Sequence, residues 1–76
     1  MINQDWNNLA ASVLKAELKF KNISYEKLVT LLEQINIHET KASIVNKLSR
    51  GTFQFAFFLQ CASVIGIKNL RLDELL

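Results

Sequence analysis

The sequence predicts an all-α domain of four to five short helices. Three observations carry this. The chain has no proline and only two glycines, so few positions can break a helix. Half of its residues are apolar, and in four separate segments they recur at the three- and four-residue spacing of a helix face. Residues that cap or stop helices stand between those segments. A sheet would need more turn-forming residues than the chain contains.

The first helix is expected from near Asn3 to about Lys21, with Trp6, Leu9, Ala10, Val13, Ala16 and Phe20 as its apolar face and Trp6 as an anchor in the core. Asn22-Ile23 read as a turn, after which Ser24 caps a second helix that ends near Asn36. Leu28, Leu31, Leu32 and Ile35 form its stripe. Ile37-His38-Glu39 lead into the third helix, which opens at Thr40 and stops at Gly51; Glu39 stands where the helix dipole favours negative charge. Its apolar edge is Ile44, Val45 and Leu48, and its opposite edge carries Ser43, Asn46, Lys47 and Arg50. Thr52 is placed to cap a fourth helix, Phe53 to about Ile65, ended by Gly66. Phe55, Phe58, Leu59, Ala62 and Ile65 make its main face, widened by Phe57 and Cys61. The tail, with Ile67, Leu70, Leu72, Leu75 and Leu76, reads as an extended arm or a short final helix.

Residues 1–76 make a single small domain, near the lower limit for a core without disulfide or metal. The net charge of +2 permits nucleic-acid binding without arguing for it, so the placement of the charge decides. One cysteine, Cys61, forms no internal disulfide, which fits a cytoplasmic protein and a buried thiol. No apolar run approaches the ~20 residues that span a bilayer. Met1 to Asp5 lack the features of a signal peptide. A metal site needs several ligands, and the one histidine, His38, with the distant Cys61 does not supply them, so neither a metal nor another cofactor is expected. No nucleophile–base pair, phosphate loop or carboxylate cluster suggests an enzyme.

Between Thr40 and Thr52 there is no acidic residue, whereas Lys41, Lys47 and Arg50 all fall there. A short helix with one packing edge and one basic, hydrogen-bonding edge suits a DNA groove, and equally an ordinary solvated surface. The run Val45-Asn46-Lys47-Leu48-Ser49-Arg50-Gly51 is similar to the end of the recognition helix in the Cro/C1-type helix-turn-helix family, also called the xenobiotic-response-element type. The helix from Phe53 to Ile65 followed by Gly66 resembles that family's next helix, and Leu28-Val29 the start of its helix-turn-helix. The stretch from Leu28 to Val45 is longer than that family carries, Asn36 stands near the place of its turn glycine, and Ser49 replaces its acidic residue. The blocks Leu14 to Lys19, Ser49 to Phe53 and Phe57 to Cys61 also resemble a group of small uncharacterised bacterial domains.

The resemblance implies a lambda-repressor-like fold and a small transcriptional regulator that binds double-stranded DNA, with Lys41, Ser43, Asn46, Lys47 and Arg50 as the DNA-binding residues. Asn bonds the edge of adenine, Lys reaches guanine or phosphate, and Ser bonds either. Arg50 has a second reading, an ion pair with Glu17, because a carboxylate on an apolar face needs a partner. Lys15, Lys19, Lys21 and Lys27 either extend a phosphate-binding surface or simply solubilise the chain. Phe53, Phe55, Phe57 and Phe58 spread too widely around one helix to share a small core, so a homodimer is expected to cover part of them. The rival reading is a protein–protein interaction module on the same fold, using this Phe-rich helix.

Overall fold

The computed structural model describes residues 5–76. Within them the chain is all-helical: α1 Trp6–Phe20, α2 Tyr25–Glu33, α3 Lys41–Arg50, α4 Phe55–Ile65 and a one-turn α5, Leu72–Leu75. The expected start at Asn3 lies outside the described residues. Inside them α1 opens at Trp6, where the Asp5 side chain accepts the Asn8 N–H at 3.1 Å. Ser24 caps α2 through the Lys27 N–H at 3.1 Å, and Thr40 caps α3 through the Ser43 N–H at 3.0 Å. Each bond satisfies one of the backbone donors that a helix start leaves unpaired. Thr52 caps nothing: α4 begins two residues later than expected, behind Gln54, and Phe53 precedes it.

The helices end in left-handed residues. Asn22 (φ 59°) lets the Ile23 N–H reach back to the Leu18 carbonyl at 2.8 Å, and Asn36 (φ 62°) does the same for Ile37 and Leu32 at 3.0 Å. Gly51 (φ 68°) and Gly66 (φ 82°) end α3 and α4. Gly51 is additionally buried, and a Cβ there would run into the Asn7 backbone carbonyl of α1. The C-terminus of α3 is thereby pressed onto the first turns of α1.

α3 packs on α1 and α2, and α2 packs on α4. The core consists of residues four apart on successive helices: Leu14 and Leu18, Leu28 and Leu32, Ile44 and Leu48, then Phe57, Cys61 and Ile65. This spacing places one side chain over another on each buried face.

Two faces differ from expectation. In α1 the buried residues are Ala11, Leu14 and Leu18, whereas Trp6 is 63% and Phe20 85% exposed. The helix carries two apolar stripes of the same period, and periodicity alone does not choose between them. In α4 Phe57 and Cys61 join Ala62 and Ile65 in the interior, while Phe55 and Leu59 are exposed. Ile35 falls in the turn after α2 and Val45 at the rim of α3, and both are exposed. The expected Glu17–Arg50 pair does not form; the ion pairs among the described residues join Lys41 to Glu26, Lys47 to Glu39, and Arg71 to Asp73 and Glu74. Geometry explains this: Arg50 sits beside Gly51 at the Asn7 end of α1, and Glu17 is roughly 15 Å further along that helix.

Gly51 and Gly66 share a backbone conformation but not an environment, since a Cβ at Gly66 meets open space. Gly66→Ala is expected to cost about 1–2 kcal/mol, the strain of the left-handed conformation. Gly51→Ala should exceed about 3 kcal/mol, because the α1–α3 contact must also open. Leu48→Ala should cost about 2–5 kcal/mol, and Phe20→Ala should stay within about 0.5 kcal/mol. Urea unfolding midpoints of the four variants check the order.

Candidate nucleic-acid interface on helix α3

The exposed stripe of α3 consists of Lys41, Ala42, Val45, Asn46, Ser49 and Arg50. Ile44 and Leu48, fully inside the core, orient the helix so that this stripe faces solvent. It contains no acidic residue. Its small members, Ala42, Val45 and Ser49, leave room for another surface to approach closely, and its donors stand at the middle (Asn46) and the two ends (Lys41, Arg50).

Ser43 and Lys47, expected on the same edge, point elsewhere. Lys47 Nζ donates to Glu39 Oε1 at 2.8 Å, to Glu39 Oε2 at 3.0 Å and to Ser43 Oγ at 2.9 Å. Ser43 Oγ in turn donates to Glu39 Oε1 at 2.6 Å. The Lys47 side chain is 31% and that of Glu39 only 15% exposed. The ammonium also lies 5.1 Å from the centre of the Phe57 ring, within cation–π range. Glu39, Ser43 and Lys47 thus form a closed polar cluster that fastens the start of α3 to α4.

Burial pushes the Glu39 carboxyl up, but the hydrogen bonds from Lys47 and Ser43 and the charge of Lys47 outweigh it and hold the group below its ordinary value. The same environment, burial first and the Glu39 charge second, pushes the neighbouring Cys61 thiol up to about 12. Cys61 is therefore a neutral core thiol at physiological pH.

Lys41 reaches back to Glu26 at 2.7 Å, an exposed pair that sets the first turn of α3 beside the first turn of α2. Around that start of α2, at Ser24, lie Lys15, Lys19, Lys21 and Lys27, lining two adjoining shallow hollows. Asn46 and Arg50 remain directed outward. Of the five residues expected to bind DNA, three therefore share one exposed stripe and two are held inside the Glu39 cluster.

A second surface feature was not expected as such. An apolar groove of about 300 Å³ opens between α1, α4 and the tail. Trp6, Leu9 and Val13 form one wall, Phe55 and Phe58 another, and Leu72 and Leu75 line it from the tail. The α1 stripe assigned to the core by periodicity is the first of these walls. Glu39 was also missed as an anchor, although its spacing from Ser43 and Lys47, four and then four again, was visible in the sequence.

Glu39 has a testable linkage to pH. Its lowered value means that its contribution is fully present above its ordinary value of 4.5 and is lost as pH falls through the folded-state value. Glu39→Gln is expected to be less stable than the parent near neutrality, with the difference closing in acid. A Glu39→Gln, Lys47→Met double-mutant cycle should give a coupling of about 1–2 kcal/mol, between that of an exposed pair and that of a desolvated charged hydrogen bond. Chemical denaturation across the acid range checks both.

Comparison with curated proteins and with solved structures returns no match. Residues 6–70 match a family described as a domain of unknown function (DUF6471), a span from the first residue of α1 to just before α5. The chain belongs to that family.

Proposed function

We propose that this is a helix-turn-helix DNA-binding domain of the Cro/C1 type, a small cytoplasmic bacterial transcriptional regulator that reads the major groove with α3. The observation that carries this reading is the exposed stripe of α3, free of acidic residues, small at Ala42, Val45 and Ser49, and supplied with donors at Lys41, Asn46 and Arg50. A major groove admits a helix of this kind, and a small-sided stripe lets the backbone come close to the base edges.

The roles follow from chemistry. Asn46, in the middle of the stripe, suits a bidentate contact with adenine, and the Ala42 and Val45 side chains suit the methyl of thymine. Arg50 at one end reaches phosphate or guanine, and Lys41 at the other reaches phosphate by exchanging its exposed Glu26 partner. The lysines around the start of α2, the helix whose first turn carries the Glu26 partner of Lys41, extend the phosphate-contacting surface. Ser43 and Lys47 contribute by holding the start of α3, since direct contact with DNA would require the Glu39 cluster to break.

One observation favours a different reading, a protein-interaction module: the apolar groove beside α4. The two readings separate in one titration. Fluorescence anisotropy at low salt with a random duplex pool, followed by selection, should show binding and an enriched sequence. Asn46→Ala should then relax one base position at a cost of roughly 1–3 kcal/mol. Lys41→Ala or Arg50→Ala should weaken binding to every sequence and reduce the salt slope by about one for each phosphate no longer neutralised. Absence of binding to any duplex, by protein with an intact helical spectrum, would remove the DNA reading and leave the interaction module.

A further inference from the structure

The groove between α1, α4 and α5 is lined by apolar side chains, and the DNA reading does not use it. Among the described residues, none of α2 or α3 lines it, and no charged side chain does. At its rim, Trp6, Phe55, Leu70, Leu72 and Leu76 are between 41% and 75% exposed. Phe55 does not fold inward. Its ring stacks on Phe58 at 6.0 Å and stands beside the hollow.

We infer that a second copy of this chain covers this groove, forming a two-fold dimer. The area argues for it. With about 150–250 Å² for each large side chain, the exposed parts of these five amount to on the order of 600 Å². A standard interface covers about 800 Å² per partner, and the half-exposed walls of the hollow make up the difference. The surface is also self-complementary, as a two-fold contact requires: it offers both a hollow and an aromatic projection beside it. Phe55 of one copy enters the hollow of the other, and the reverse contact follows by symmetry. Because the described lining carries no charge, two identical surfaces meet there without repulsion. At the edge of the groove, Arg71, the residue before α5, is already paired with Asp73 at 3.0 Å.

The inference deepens the proposed function without depending on it. The dimer leaves α3 of both copies in solvent, and two symmetric reading helices select a target with two-fold symmetry.

The test uses sedimentation equilibrium of the full chain from micromolar to near-millimolar concentration, with emission from Trp6, the only tryptophan, as a second readout. The expected result is a species of twice the chain mass and a shift of Trp6 emission to shorter wavelength as the dimer fills. Phe55→Glu and Leu72→Glu should each raise the dissociation constant on the order of 100-fold, the scale of a central interface anchor. Both positions are exposed at helix starts, so the helical spectrum should remain. Ser63→Glu, on α4 but outside the groove, should leave the dimer intact. A folded monomer at every concentration overturns the inference, and concentration-independent short-wavelength emission from it would place another part of the chain in the groove. A dimer that survives both groove substitutions also overturns it. A dimer without affinity for DNA keeps this inference and removes the DNA reading, while a DNA-binding monomer does the reverse.

Discussion

The contact between Gly51 and Asn7 is the constraint on which the arrangement of the helices depends. A left-handed residue ends α3, and only a residue without a Cβ lets that turn press against the α1 backbone. The left-handed conformation alone would tolerate asparagine, as Asn22 and Asn36 show in the same chain. The close approach does not. Once α3 is seated there, Ile44 and Leu48 must enter the core beside Leu14 and Leu18, and the remaining stripe of α3 must face outward. The identity of the outward residues is thus a consequence of where the helix ends.

A second, polar constraint acts at the other end of α3. Thr40 caps the helix through the backbone, and the Glu39 cluster holds it through side chains that also touch Phe57 of α4. Charged groups so little exposed are stable only when each has partners. Here Glu39 takes hydrogen bonds from both Ser43 and Lys47. The cluster divides the polar residues of α3 into those that build the domain and those left exposed to solvent. Charge and residue type do not make that division, since Lys41 and Lys47 are the same side chain with different neighbours.

Much of this was legible in the sequence, and the failures have a common cause. The caps at Ser24 and Thr40, the stops at Gly51 and Gly66, and the core positions Leu28, Leu32, Ile44, Leu48 and Ile65 follow from local chemistry and helical spacing. The α1 core face did not. Its two stripes, one with Leu14 and Leu18 and one with Leu9 and Val13, have the same period, and only the docking of α3 decides which is interior. The Glu17–Arg50 pair failed for the same reason: it needed the relative placement of two helices, and the glycine contact puts the end of α3 near the wrong end of α1. At the candidate site, the acid-free stretch of α3 was visible in the sequence, but separating Lys47 from Asn46 required its neighbour Glu39 in three dimensions.

The two unburied surfaces are built from separate elements, which bears on how such a small domain could work. α1 takes part in both halves of the structure, with Leu14 and Leu18 turned to the core and Trp6, Leu9 and Val13 turned to the groove. Association at the groove can therefore strengthen α1 without altering the exposed stripe of α3. The Gly51–Asn7 contact links the same helix to the end of α3, close to Trp6 in sequence. The groove and the seat of α3 thus share one short stretch of backbone, from Trp6 to Leu9.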